Sequence, residues 1–327
     1  MMDVQSAMRA VLFDGDLRFV TDYPIPKPLP GWAQIRVEKA GICKTDMEII
    51  KGYMGFKGIL GHEFIGVVEH CGDTKWIGKR VVGEINAACG QCEWCANKMG
   101  RHCTNRATLG INNLNGCMAD YCLLPISNLL EVPKTVTDDR AVLIEPLSAA
   151  CEILEQLKMK GSERAVILGD GRLGILCAWV LSTVLHDVTL IGHHPEKLEL
   201  SAWRHIKTAV SSAYVDTGAD IVVDATGSDR GINEAMLLCR PRGIIVLKST
   251  VALQGELNLA PIVINELTLL GSRCGQFVDG LRMLESYPYM PIESLITDRY
   301  PIEQAVEAFE RAAQSDAVKV LLEVRKD

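Results

Sequence analysis

Four cysteines constrain this chain more than any other feature. In Cys89-Gly-Gln-Cys92-Glu-Trp-Cys95-Ala-Asn-Lys-Met-Gly-Arg-His-Cys103 the thiols are separated by two, two and seven residues. That spacing closes into a tetrahedral cage with zinc–sulfur bonds of about 2.3 Å. Turns so tight need backbone freedom, which Gly90 and Gly100 are placed to supply. One or two disulfides are the competing reading. Against it, Cys71, Cys117, Cys122, Cys151, Cys177, Cys239 and Cys274 stand mostly among apolar neighbours, as reduced core thiols of an intracellular protein do. The lobe spanning 86–106 has little apolar content of its own, so a metal is expected to hold its shape. A zinc closed by four thiolates leaves no position for a substrate, and the lobe reads as a brace.

At 327 residues the chain is longer than one hydrophobic core usually organises, so two domains are expected. A net charge of −7 and a pI near 5.6 argue against a nucleic-acid groove or an anionic membrane as partner, and point to a small molecule. The stretch Met1 to Ala10 has an early acid and no basic region leading into an apolar core, so no signal peptide is expected and the compartment expected is the cytoplasm. The apolar run Leu173 to Leu185 is interrupted by Ser182 and Thr183 and falls short of the ~20 residues of a membrane span, which suits a buried helix.

The first third is β-rich. Ala7 to Val20 reads as two strands about the turn Asp14-Gly15-Asp16, the proline-rich run Pro24 to Gly31 as an extended connector, and Trp32 to Ala40 as a strand by alternation. Gly41 to Ile49 passes from loop into short helix, and Gly61-His62-Glu63 precedes a strand from Phe64 to Glu69. A polar His-Glu pair among apolar residues needs a partner. His62 alone would read as a hydrogen-bonded core histidine, but beside Glu63 and downstream of Cys43 it reads as a metal ligand. Glu145 likewise stands in an apolar run, where an isolated carboxylate is costly unless a cation meets it.

From about Ser162 strands and helices alternate. Arg164 to Leu168 is a buried strand, Gly169-Asp170-Gly171-Arg172-Leu173-Gly174 a tight turn, Ile175 to Leu185 a helix and Asp187 to Ile191 the next strand. This is a βαβ unit with the dinucleotide fingerprint at its first turn: one glycine makes the turn, the second admits the pyrophosphate, and the third lets helix and strand pack. Further strands are Ile221 to Ala225, ending in Thr226-Gly227, then Gly243 to Lys248 and Glu266 to Leu270. A helix from Ile302 to Ala313 and a strand from Ala317 to Val324 end the sequence.

Cys43-x-x-Asp46, Gly61-His62-Glu63-x-x-Gly66, the cysteine lobe, Glu145-Pro-Leu-Ser and the later dinucleotide turn together resemble the zinc-dependent medium-chain alcohol and polyol dehydrogenases, in the same order over essentially the whole chain. The resemblance implies an α/β protein: a GroES-like β-rich catalytic domain from 1–148 and 288–327, and a Rossmann domain, a doubly wound parallel sheet, from 149–287. It implies a catalytic zinc on Cys43 and His62, with Glu145 at a third position that is glutamate in the sorbitol and threonine dehydrogenase branch. Glu63 is a ligand in some states and a neighbour in others. Asp46 would orient His62, and Thr45 would pass the substrate's proton outward. Many relatives hand that proton to a histidine where this chain has Glu48.

The activity so implied is hydride transfer between a secondary alcohol or polyol, or the matching carbonyl, and a nicotinamide cofactor. Cofactor contacts are expected from Gly169, Gly171, Arg172, Leu173, Gly174 and Thr226. At the tip of the second Rossmann strand, Ile191-Gly192-His193-His194-Pro195-Glu196-Lys197 carries no acid to bind the ribose hydroxyls of NAD. It is similar to the Gly-Ser-Arg-Pro type of NADP users, with His193, His194 and Lys197 to offset a 2′-phosphate, so NADP is favoured over NAD. An ordinary surface-helix start at Pro195 is the other reading. Homodimers or homotetramers are usual in the family, and Leu257 to Leu270 is the stretch expected to join copies. A zinc-free quinone-type reductase and a non-catalytic nucleotide sensor are the alternatives in function.

Overall fold

A computed structural model describes residues 7–214, 216–249 and 257–325; Met1 to Ser6, part of the stretch judged to lack a signal peptide, lie outside them. The chain divides into Met1–Glu145 with Ile296–Asp327, and Pro146–Leu295. The first boundary falls three residues before the expected 148/149, and the second eight residues after the expected 287/288.

The first unit is built on a seven-stranded sheet. Its order is Leu129–Glu131, Arg80–Gly83, Glu63–Cys71, Trp32–Gly41, Lys319–Glu323 and Ile296–Pro301, with Tyr121–Pro125 also paired to Trp32–Gly41. Every ladder in it is antiparallel except Ile296–Pro301 on Lys319–Glu323. A three-stranded sheet of Leu17–Pro24, Ala7–Phe13 and Gly58–Ile59 buries Met8, Ala10 and Ile59 with Ala119. The two strands expected about Gly15 are Ala7–Phe13 and Leu17–Pro24.

Register in the larger sheet places the chemistry. Gly41 faces Glu63 on one side and Leu321 on the other. Residues two apart in a strand share a face, so Lys319 comes over Gly41 toward Glu63. A Cβ on Gly41 would lie 2.5 Å from Glu63 Oε2 and 3.1 Å from Lys319 Nζ, and only glycine admits both side chains.

The second unit carries a six-stranded parallel sheet in the order Lys207–Val210, Asp187–Gly192, Arg164–Leu168, Ala219–Asp224, Cys239–Leu247 and Thr268–Gly271. With the sequence's strands numbered along this unit, that is the doubly wound order of dinucleotide-binding folds. Strands covered on both faces need near-continuous apolar runs, and Val166, Leu168, Val222 and Ile245 meet in one core with Ala235 and Met236 of the helix Gly231–Leu238. The helix after the glycine turn runs Arg172–Ser182, three residues earlier than expected at its start. It begins directly after the extended Gly171. At its end, Ser182 and Thr183 turn their hydroxyls back onto the carbonyls of Trp179 and Val180, both at 2.7 Å. Every residue from Gly174 to Ser182 is buried. Among the described residues no helix is long and apolar enough to cross a membrane.

Candidate functional site

Cys43 stands in extended backbone at the N-cap of the helix Lys44–Ile50. Asp46, one turn in, folds back so that its Oδ2 accepts the Cys43 backbone N–H at 2.8 Å. Its Oδ1 lies 3.3 Å from His62 Nδ1, an ion-pair separation without hydrogen-bond geometry. With Nδ1 turned to Asp46, Nε2 is the nitrogen left to ligate. Asp46, His62 and Glu63 are all buried. Ligand atoms of Cys43, His62 and Glu63 lie within 4.8 Å of one another.

Two features show that this donor set fits a divalent cation. Thiol, imidazole and carboxylate at mutual contact are zinc-ligand types. The electrostatics agree: burial opposes charge on His62, yet its interactions with Asp46 and Cys43 prevail and hold its pKa well above the ordinary value. Surroundings that favour positive charge at His62 are ones that a metal ion also satisfies.

Glu63 is held by a residue the motifs do not contain. Lys319 Nζ forms an ion pair with Glu63 Oε2, both side chains being fully buried, and donates to the Ile42 carbonyl at 2.9 Å. Thr45 Oγ1 lies 3.7 Å from Cys43 Sγ. Glu48, at the outer relay position, pairs with Lys51 at 3.1 Å. Glu145 is half-buried in the first turn of the helix Ile144–Gln156 and is not a member of the grouped set.

In the cysteine lobe the sulfurs of Cys89, Cys92, Cys95 and Cys103 all lie within 4.8 Å of one another, with the pairs Cys89–Cys95, Cys92–Cys95, Cys92–Cys103 and Cys89–Cys103 at 3.5 to 3.9 Å. Four thiolates on one zinc stand about 3.8 Å apart, so the cage matches its metal, and the four are free rather than disulfide-bonded. A hydrogen bond from the Gln91 backbone draws Cys89 down to about 6, while burial pushes Cys95 up to about 11. Such a spread is expected where thiols in contact share a few protons. Gly90 takes its turn at φ +74°, but the other left-handed position is Lys98 and not Gly100. Gly100 opens a 3-10 turn, where a Cβ would crowd Ala88 at 3.3 Å.

The glycine turn of the second unit has the shape of a phosphate cradle. Gly169 sits at φ +109°, and a Cβ on Gly174 would lie 1.8 Å from the Gly169 carbonyl oxygen, whereas one on Gly171 would meet nothing within 4 Å. The open side at Gly171 caps the buried helix, where an anion is favoured. Arg172 and Leu173 are half-buried. Thr226 is fixed by Asp224, whose Oδ1 accepts its N–H at 3.0 Å and its hydroxyl at 2.8 Å. At the tip of Asp187–Gly192, His193 is exposed, His194 half-buried and Lys197 buried. The backbone N–H groups of both histidines donate to Asp170, at 2.6 and 2.7 Å. Burial would raise the pKa of Asp170, and these bonds with the His194 side chain outweigh it and leave it lowered.

Residues 29–134 match the model of the alcohol dehydrogenase GroES-like domain, and residues 138–324, more than half of the chain, that of the glucose dehydrogenase C-terminus. The chain belongs to the zinc-type medium-chain dehydrogenases.

This dehydrogenase is 27% identical over 325 residues to the starvation-sensing protein RspB of Escherichia coli, covering 93% of this chain and 95% of that one. It is 27% identical over 323 residues to a sorbitol dehydrogenase of Halalkalibacterium halodurans, covering 91% and 93%. Among solved structures, an E. coli rspB dehydrogenase complexed with NADH superposes with a TM-score of 0.88 at 25% identity, over 97% and 99% of the two chains. A candidate zinc-binding dehydrogenase of Sinorhizobium meliloti bound to NADP gives 0.87 at 27% identity over the same shares.

Sequence reasoning missed two residues of this dehydrogenase. Lys319 was signalled only by a lysine inside the apolar run Val318 to Leu322, and Asp170 only by an acid between two fingerprint glycines.

Proposed function

We propose that this dehydrogenase transfers a hydride between a secondary alcohol or polyol, or the matching ketone or aldehyde, and a nicotinamide dinucleotide. The observation that carries the reading is the buried group of Cys43, His62 and Glu63, a mixed sulfur, nitrogen and oxygen donor set apart from the four-thiolate lobe. Zinc bound there supplies a Lewis acid that lowers the pKa of a substrate hydroxyl, and the nicotinamide supplies the hydride carrier.

The chain's own residues do the rest. Asp46 orients both Cys43, through its backbone N–H, and His62, through Nδ1. Lys319 holds one oxygen of Glu63, so ligation uses the other. Thr45 takes the substrate's proton beside Cys43. Glu145, at the family's third ligand position, is with Glu63 the carboxylate that completes the ligand set in this reading. Gly169, Gly171 and Gly174 seat the pyrophosphate. Relatives named for sorbitol and L-threonine support a substrate hydroxyl on a secondary carbon.

The test is metal analysis with a panel of alcohols, polyols and carbonyls, followed at the absorbance of the reduced nicotinamide. Two metal groups predict two zinc ions per chain. Cys43→Ser should lose one of them and its turnover while staying folded. Retention of both ions with undiminished alcohol oxidation would refute the assignment, and silence across the panel despite cofactor binding would favour a nucleotide sensor.

Copies of the chain are proposed to join along the edge strand Thr268–Gly271, beside which Val263 and Ile264 are each 77% exposed. Sizing should give a dimer or tetramer that Val263→Asp shifts to smaller species; a wild-type monomer would end this proposal.

A further inference from the structure

The tip of the second Rossmann strand carries an acid that its own sequence lacks. Asp170, between the first two glycines of the turn, reaches across to the end of Asp187–Gly192. Its Oδ2 accepts the backbone N–H groups of His193 and His194 at 2.6 and 2.7 Å. His194 Nδ1 lies 3.0 Å from the same oxygen and 3.2 Å from Oδ1. A Cβ on Gly192 would stand 2.3 Å from Oδ2, so the glycine that ends the strand and the aspartate in the turn are matched in shape.

In a βαβ dinucleotide site the adenosine ribose is read at this tip. A carboxylate accepts the 2′-hydroxyl of NAD, whereas NADP needs a cation for its 2′-phosphate. Here the two N–H donors at the tip already serve a carboxylate of the chain, and so does the His194 ring. Lys197, the cation expected to meet a phosphate, is buried, and His193 is a weak substitute for arginine. A phosphate brought to the tip would have to displace Asp170 or lie against its negative charge. Oδ1, whose partner is the imidazole, retains a lone pair to accept a hydroxyl.

We propose that Asp170 determines the cofactor form, accepting the adenosine ribose hydroxyl and excluding a 2′-phosphate, so that this dehydrogenase uses NAD. The proposal rests on the dinucleotide reading above and departs from the expectation of NADP drawn from Gly192 to Pro195. The acidic residue of NAD-binding sites is present, but it is delivered from the glycine turn and not from the strand.

Calorimetric titration of the zinc-loaded protein with NADH and with NADPH, without substrate, tests it. Wild type should bind NADH at least about tenfold more tightly. Asp170→Asn should strengthen NADPH by about tenfold and change NADH much less, narrowing the ratio. Equal or tighter binding of NADPH by the wild type would overturn the proposal, whether or not the variant folds. A variant that weakens both forms by one factor would also overturn it, since that is the mark of a merely structural aspartate. Failure to bind either form would reject the dinucleotide reading itself, and this proposal with it.

Discussion

Lys319 is where the cost of the buried chemistry is concentrated. Its ammonium and the Glu63 carboxylate are both inaccessible to water, and an ion pair so placed offsets its desolvation only while both partners are present. Lys319→Met should therefore destabilise the fold by about 3–5 kcal/mol, whereas adding Glu63→Leu to it should restore much of the loss. Denaturant midpoints of the single and double variants measure this. A single variant with an unchanged midpoint would show that water or relaxation already compensates the carboxylate. The pair also marks how far the site was legible in sequence. Asp46 and His62 are recognisable because cysteine, aspartate and the Gly-His-Glu run lie within one short stretch. Lys319 is 256 residues from Glu63, and only the strand register that sets Gly41 against both Glu63 and Leu321 brings it there.

Among the elements, the cysteine lobe depends least on packing. Its helix is Glu93–Ala96, capped by Cys92, and Trp94 and Met99 are exposed, so the metal replaces the core it lacks. Cys95→Ser should lose one zinc ion, as Cys43→Ser does, but with the opposite distribution of damage. Limited proteolysis should then open the lobe within 86–106 while cofactor affinity, set in the other unit, is unchanged. A lobe that stays resistant after losing its zinc would mean that chain contacts alone hold it. The spacing of four cysteines makes this element readable without a structure. The strand Ile296–Pro301 was not, because Ile-Thr-Asp-Arg-Tyr-Pro is a polar edge whose order comes from its parallel pairing with Lys319–Glu323. The helix Arg172–Ser182 was readable in kind but not in its ends, which Gly171 and the two back-bonding hydroxyls decide.

For the whole molecule, the buried and paired ionisable groups limit the pH range of stability from both sides. Burial would raise Asp139, but Lys39 at 2.7 Å and Arg299 at 2.6 Å outweigh it and leave its pKa lowered; Asp220 is lowered in the same manner by Arg164 and Arg240. A carboxylate whose folded pKa lies below its unfolded value, 3.8 here, contributes stability above that value and loses it as pH falls through the folded one. The acid limb should thus begin near pH 4. The alkaline limb comes from thiols: burial pushes Cys151 up to about 12 and Cys177 and Cys239 up to about 11, against 9.0 for an ordinary thiol. A group raised in this sense favours the fold below its unfolded pKa and loses that contribution as pH rises toward the folded one. Above pH 9 the unfolded chain releases protons that the folded core keeps, so each such thiol steepens the loss by up to about 1.4 kcal/mol per pH unit. Denaturant midpoints in reductant across this range should trace a plateau with two falling limbs. Cys177→Ala will be less stable at neutral pH because of its cavity, yet its alkaline limb should be shallower than that of wild type. A parallel limb in the variant would show that the Cys177 proton is not part of the alkaline transition, and that lysines and tyrosines carry it instead.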